Sequence, residues 1–222
     1  MNRSQRRLEG IGMTSARTRD RLVERLRRQG ISDERVLEAI RQVPRHIFVD
    51  EALASRAYED SALPIGLGQT ISQPGVVALM SQSLMDGQTP HRVLEVGTGC
   101  GYQTAVIARL VPQVYSIERL RPLIERAHSH LLALRLRNVR LKYGDGMLGW
   151  PERAPFDGIL VTAAPSRVPE QLLEQLTPGG CLVLPLGGPA GQKLVRIRRK
   201  SNGFEQESLG PVSFVPMLGG TS

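Results

Sequence analysis

Apolar residues recur at three- and four-residue intervals over the first eighty positions and in short unbroken runs after that. Leu22, Val23 and Leu26 share one face of a helix that starts near Thr14 and stops at Gly30. Val36, Leu37, Ile40 and Val43 form a second stripe. Ser32 is placed to cap it, Asp33 and Glu34 suit its first turn, and Pro44 ends it. Residues 45–66 show no clear period, and a short helix is expected near Glu51–Ala57. Pro74 fits the first turn of a third helix, continued by Val76, Val77, Leu79, Met80 and Leu84.

From Arg92 the pattern alternates. "RVLEVG", "VYSIE", "VRLKYGD", "FDGILVTAA" and "GGCLVLPLG" read as buried strands. "YQTAVIARLV", "RPLIERAHSHLLALRL" and "PEQLLEQLT" read as the helices between them. "KLVRIRRK" and "GFEQESLGPVSFVPM" alternate like antiparallel strands joined by "SNG". Strand–helix alternation predicts an α/β fold, a doubly wound and mostly parallel sheet with helices on both faces. We expect a frayed tail over residues 1–13, with Met13 an alternative start to Met1. Residues 14–222 are then one domain, made of a helical segment at 14–88 and the sheet with its C-terminal strands at 89–222.

The chain has 222 residues, 41% hydrophobic and 23% charged, and a net charge of +8. That charge suits either acidic partners or an Arg-rich solvated surface. No apolar run is long enough to span a bilayer, and no apolar stretch follows the basic N-terminus, so no membrane or export signal is expected. The cysteines Cys100 and Cys181 form no CxxC, which points to a reducing, cytoplasmic setting. His46, His91, His128 and His130 lack ligand spacing, so no metal is expected.

The chemistry concentrates in "VLEVGTGCG", Val93–Gly101. Gly97, Gly99 and Gly101 follow a strand and precede a helix, where missing Cβ atoms let the backbone lie against a ligand. The loop lacks the Lys-Ser/Thr of a phosphate-binding P-loop, and its GxGxG spacing differs from the dinucleotide GxGxxG. Glu95 stands beside it. A carboxylate there repels a pyrophosphate but suits S-adenosylmethionine, which carries an ammonium, a sulfonium and no phosphate. Glu118 ends the next strand, where it can accept from ribose hydroxyls. Asp145, with Gly146, closes the third strand, where it can accept from an adenine amino group.

"GQTISQP", "VLEVGTGCGYQTAVIA", "YSIE", "GDG", "FDGILVTAAP" and "LVLPLG" follow one another in the order found in protein-L-isoaspartate O-methyltransferases, and from about residue 14 onward the chain resembles that family. The resemblance implies a seven-stranded, Rossmann-like class I methyltransferase fold. The donor would be S-adenosylmethionine, leaving S-adenosylhomocysteine. The acceptor would be the α-carboxylate of L-isoaspartyl residues in damaged proteins and peptides. It implies Ser72 in the active site and cofactor contacts from Thr70, Ile71, Ser72, Glu95, Gly97, Gly99, Glu118, Asp145 and Gly146, to which the loop adds Gly101. There are two departures. Gly75 stands where many relatives carry a larger residue and is expected to loosen the entrance. Cys100 replaces a common Ser at little expected cost.

An ionised carboxylate needs no general base, which agrees with a chain that has no evident catalytic His or Cys arrangement. Ser72 can orient one acceptor oxygen, or alternatively cap the helix behind it. Arg45, Arg92 and Arg167 neighbour motif segments and are candidates to gather an acidic peptide. "VTAAPS" offers no carboxylate or amide to hold an amine. The competing readings are an RNA methyltransferase, favoured by the charge, and a non-catalytic binding module. Sparse aromatics, at 4%, and the "GQTISQP" segment argue against nucleic acid. The oligomeric state stays open, and a monomer is compatible with it.

Overall fold

The computed structural model describes residues 10–87, 89–188 and 190–222. Two helices open the fold, α1 (Ala16–Arg28) and α2 (Glu34–Gln42). Short 3-10 turns at Arg45–Phe48 and Glu51–Arg56 lead to a hairpin, β1 (Leu63–Gly66) and β2 (Gln69–Ile71), and then to helix α3 (Pro74–Met85). The sheet follows as β3 (Arg92–Val96), α4 (Tyr102–Ala108), β4 (Gln113–Glu118), α5 (Arg121–Ala133), β5 (Val139–Tyr143) and β6 (Phe156–Val161). Helix α6 (Glu170–Glu174), β7 (Leu176–Gly188), β8 (Gly191–Lys200) and β9 (Gly203–Val212) complete it.

The seven strands lie in the order β5-β4-β3-β6-β7-β8-β9. β3 to β7 run parallel, and β8 and β9 return antiparallel. This is the doubly wound sheet with antiparallel C-terminal strands that the alternation predicts. Continuous apolar runs mark the strands covered on both faces. Ile159, Leu160 and Val161 of β6 and Leu182, Val183 and Leu184 of β7 are wholly buried. Helices α1 to α4 pack into one core cluster; Phe156, Leu172 and Trp150 belong to another. Connections from β3 go outward to β4 and β5, then return to β6 on its other side. The strand order therefore reverses between β3 and β6, and a crevice opens there at the carboxyl edge.

Local chemistry differs from expectation in three places. Asp33, not Ser32, caps α2, accepting from the Arg35 N–H at 2.9 Å; the Ser32 N–H donates instead to Gln82 Oε1 at 2.7 Å. Of the tail placed at residues 1–13, residues 1–9 lie outside the described residues, and Gly12–Thr14 forms a 3-10 turn. The third is the β1–β2 hairpin, whose first strand closes the stretch without a period and whose second follows it. Its strands are too short, and Pro64 too disruptive, for alternation to show.

Gly66, Leu67 and Gly68 turn this hairpin with φ of 88°, 54° and 69°. Leu67 is 57% exposed, so the strain of a left-handed leucine is not offset by burial. Leu67→Asn is expected to raise stability by about 1 kcal/mol, read by calorimetry as a Tm higher by about 2–4 °C. An unchanged or lower Tm would show that Leu67 makes a compensating contact.

Candidate functional site

A cavity of about 900 Å³, open mouth included, occupies the crevice at the strand reversal. Its walls are Gln69–Ser72 from the hairpin exit, the glycine loop, Glu118–Leu120 after β4, Thr162 and Ala163 after β6, and Val215–Leu218 of the C-terminal tail. Of the residues singled out in the sequence, Thr70, Ile71, Ser72, Gly97, Gly99, Glu118 and Gly146 line it. Glu95, Gly101 and Asp145 do not.

Backbone packing holds the loop in place. Gly97 has φ 96°, and a Cβ there would lie 2.4 Å from Thr162 Oγ1, whose proton is donated to the Gly97 carbonyl at 2.6 Å. The N–H groups of Gly97 and Thr98 both donate to the Ile117 carbonyl, at 2.8 and 3.1 Å. Gly101 serves packing instead. It begins α4 with φ 89°, and a Cβ would sit 3.2 Å from that of Ala127 on α5.

The three acids have separate duties. Glu118, 5% exposed, accepts from the Gly99 N–H through Oε2 at 2.8 Å and from the Leu120 N–H through Oε1 at 2.9 Å. Each carboxylate oxygen still has acceptor capacity for a ligand hydroxyl. Glu95 is wholly buried beneath the loop. In the sheet it sits beside Ser116, and its Oε2 accepts from Ser116 at 2.5 Å and from Thr104. Ser116 has one proton, spent on Glu95, so Thr98 must donate to it, at 2.7 Å. Glu95 thus reaches the cavity only through Ser116 and Thr98. Asp145 accepts from the Met147 N–H at 2.8 Å and from the Gly220 N–H at 2.6 Å, so it anchors the C-terminal tail.

The alternation of "GFEQESLGPVSFVPM" predicts strand throughout, but β9 stops at Val212. Beyond it the chain crosses the strand exits. The Ala164 N–H donates to Val215 O and the Met217 N–H to Ala164 O, both at 2.8 Å; the Ser222 N–H donates to Arg119 O at 2.9 Å. These partners are distant in sequence, so periodicity carries no sign of them. Tyr102 and Gln103 also line the cavity, which the sequence does not signal, since a helix beginning right after a glycine loop reads as core.

Ser72 lines the cavity without capping α3, whose N-cap is Gln73. Gly75 is not a lining residue; it packs toward Gln29 and Asp60. Cys100 is a lining residue, and burial pushes its thiol up to about 11, so it stays neutral. Arg92 lies at the opposite end of β3, where it donates to Arg153 O at 2.6 Å. Arg167 is exposed. Among the described residues, no cluster of three or more His, Cys, Asp or Glu can hold a metal ion.

The donor set fits a nucleoside without phosphates. Among the described residues of the wall Glu118 is the one carboxylate and Arg119 the one cation, and Arg119 donates through Nε to Gly220 O at 3.2 Å. Apolar Ile117, Leu120 and Met217 suit a purine. The positions of Gly97 and Gly146 leave room only for a bare backbone, a Cβ on Gly146 meeting Val96 at 2.4 Å.

Burial raises the Glu95 pKa to about 7, aided by the Glu118 charge and opposed by the Ser116 and Thr104 hydroxyls. The folded state therefore holds a proton that the unfolded chain, with an ordinary carboxyl pKa near 4, has released. Its stabilisation is full below that unfolded value and lost as pH rises through about 7. Glu95→Gln should be the more stable protein at pH 8, by roughly 1–3 kcal/mol in urea unfolding, and the gap should close by pH 5. A gap independent of pH would refute the assignment.

The match to the family described as protein-L-isoaspartate(D-aspartate) O-methyltransferase covers residues 17–222. The chain is 62% identical over 216 residues to a protein-L-isoaspartate O-methyltransferase of Halorhodospira halophila, covering 97% of this chain and 98% of that one. A protein-L-isoaspartate O-methyltransferase 1 of Marinobacter nauticus is also 62% identical, over 96% of this chain and 97% of its own. A solved protein-L-isoaspartate O-methyltransferase superposes with a TM-score of 0.82 at 31% identity, over 90% of this chain; the match spans 66% of that longer chain. A Plasmodium falciparum relative, solved with S-adenosyl-L-homocysteine and described as a putative protein-L-isoaspartate O-methyltransferase, superposes at 0.75 with 28% identity, over 89% of this chain and 96% of its own. With nearly its whole length matched and its glycine loop, Glu118 and Ser72 on one cavity, the chain belongs to the protein-L-isoaspartate O-methyltransferase family.

Proposed function

We propose that the cavity between Ser72 and the glycine loop is where a methyl group passes from S-adenosylmethionine to the α-carboxylate of an L-isoaspartyl residue. One observation carries this reading. Ser72, from the segment before α3, and Gly97, Gly99 and Glu118, from the sheet, face a single cavity although they come from separate parts of the chain. S-adenosylmethionine, when bound, supplies an electrophilic methyl group on a sulfonium and leaves as S-adenosylhomocysteine.

The protein's part is to bind, orient and exclude water. Glu118 accepts from the donor's ribose hydroxyls, and Gly97, Gly99 and Gly146 give backbone access along the ligand. Thr70, Ile71 and Ser72 close the side where the acceptor enters. The acceptor is already an anion at neutral pH, so no base is required. Ser72 donates a hydrogen bond that aims one carboxylate oxygen, and the tail at Val215–Leu218 shields the reacting atoms from solvent. Glu95 acts at one remove, holding Thr98 through Ser116, and Asp145 acts by fixing the tail. The methyl ester carries a better leaving group than the carboxylate: the neighbouring backbone amide nitrogen attacks its carbonyl carbon and methanol departs. The ester thereby collapses to a succinimide that reopens in part as normal aspartate, which makes the reaction a repair step.

The physiological partners are then isoaspartyl-containing proteins and peptides. The RNA methyltransferase reading is not favoured, because the family and the relatives described above are named for isoaspartate. No helix among the described residues is long and apolar enough to cross a membrane, and both cysteines are buried and free. Those features support action in the cytoplasm, where the chain can work as a monomer.

The decisive assay pairs peptides that differ only in isoaspartate or aspartate at one position and supplies labelled methyl donor. Base-labile label in the isoaspartyl peptide alone supports the reading; equal labelling of both, or label in RNA alone, overturns it. Ser72→Ala is expected to lower kcat about tenfold or more, the value of a hydrogen bond to a charged group, with the Kd for S-adenosylhomocysteine little changed. Glu118→Ala should instead weaken S-adenosylhomocysteine by roughly 10- to 100-fold in calorimetry. Wild-type affinity in that variant would misplace the ribose site.

A further inference from the structure

Arg45 opens the 3-10 turn after Pro44 and is the largest fully buried side chain, with no exposed surface. Its Nε donates to Ala57 O at 2.7 Å and its Nη2 to Ser61 O at 3.4 Å. Its Nη1 is buried with no hydrogen-bond partner, and among the described residues no carboxylate lies within ion-pair distance. Burial lowers its pKa, yet a guanidinium keeps its charge at neutral pH. Buried charges are ordinarily paired, so a lone cation in the interior calls for an explanation.

The neighbours supply one. The guanidinium stacks on the Tyr102 ring, 4.8 Å from its centroid, and Tyr102 is a wall of the cavity. The Tyr102 hydroxyl lies against that guanidinium without a well-aligned hydrogen bond, and Ser61 Oγ is buried without a partner. The other formal charges near the cavity have different work. Glu118 repels an anion, and Arg119 stands beside Glu118 and donates to the tail. An anionic acceptor entering beside Ser72 and Tyr102 has Glu118 as a negative group in the wall, and Arg45 is the buried charge that opposes it.

We propose that Arg45 is a positioning residue for the acceptor: a fixed positive charge behind Tyr102 that draws the isoaspartyl carboxylate into the cavity and selects it over neutral groups of the same shape. This rests on the carboxylate-methylating function argued above. The same field distinguishes substrate from product. The carboxylate is attracted, whereas the methyl ester carries no charge and is released. Because the carboxylate loses only part of its charge on the way to the transition state, most of the attraction is common to both states, so the charge acts chiefly on KM and changes kcat little.

The test compares the wild type with Arg45→Met and Arg45→Lys, each first checked for native circular dichroism and for S-adenosylhomocysteine affinity by calorimetry. Two peptides are used: the isoaspartyl substrate, and its isoasparaginyl twin with a neutral carboxamide in place of the carboxylate, measured as a competitive inhibitor. Arg45→Met is expected to raise the substrate KM about tenfold, with kcat and the twin's Ki each within about twofold of wild type. Arg45→Lys should restore the loss only in so far as the buried ammonium keeps its proton, so its KM should move toward the wild-type value as pH is lowered. A parallel rise in KM and Ki, or no rise in either, overturns the proposal, since a packing role would not discriminate by charge. Should both variants fail to fold, the wild type decides. With S-adenosylhomocysteine bound, the carboxylate peptide should bind at least about tenfold tighter than the carboxamide, and equal affinities overturn the proposal. Absence of methylation of any isoaspartyl peptide by the wild type would sink the function itself, a result distinct from all of these.

Discussion

A missing carbon atom decides the shape of this site. Gly97 lies so close to Thr162 that any Cβ would stand 2.4 Å from its hydroxyl oxygen, and that closeness lets Thr162 bind the Gly97 carbonyl. The contact joins the end of β3 to the end of β6, the two strands between which the sheet reverses direction. The loop is fastened on its other side by the Ile117 carbonyl and the Glu118 carboxylate at the end of β4. Three neighbouring strands thus present one rigid edge, and the cavity is the space that edge leaves.

Charge is managed in depth around that edge. Glu118, with both oxygens tied to backbone N–H groups, is the negative group in the wall. Glu95 is withdrawn beneath the loop and held by two hydroxyls, where burial brings its pKa to about 7 and its charge is only partly expressed at neutral pH. Arg45 is equally buried on the side of Tyr102. A cationic donor and an anionic acceptor are thereby offered opposite fields in one small space. Low-dielectric surroundings strengthen both fields relative to water.

The tail completes the enclosure. Its bonds to Ala164, Asp145 and Arg119 span the exits of three strands, so the last residues of the chain form part of the wall built by residues in its middle. The hairpin at Leu63–Ile71 performs the corresponding task from the N-terminal side by delivering Thr70, Ile71 and Ser72. The sheet contributes rigidity, and the two chain segments flanking it supply cover and the acceptor side.

How much of this is legible before folding depends on the range of the forces involved. Apolar periodicity is local, so the alternation of strands and helices, the buried β6 and β7, the glycine loop and the acid at the end of β4 can all be read from neighbouring residues. Short strands leave too little pattern to read, which hid the hairpin, and the cap falls to Asp33, whose side chain reaches the Arg35 N–H while Gln82 on another helix holds the N–H groups of both Ser32 and Asp33. Side-chain direction is likewise not local. Glu95 and Asp145 stand next to ligand-binding segments in sequence, but Ser116 and Thr104 draw one under the loop and Gly220 takes the other. The sequence by itself determined the fold class, the glycine loop and the "GQTISQP" segment that carries Ser72, because each resides in contiguous residues. Only the tertiary structure decided which carboxylates reach the cavity, that the tail encloses it, and that Arg45 lies buried behind Tyr102, because each depends on partners brought together from far along the chain.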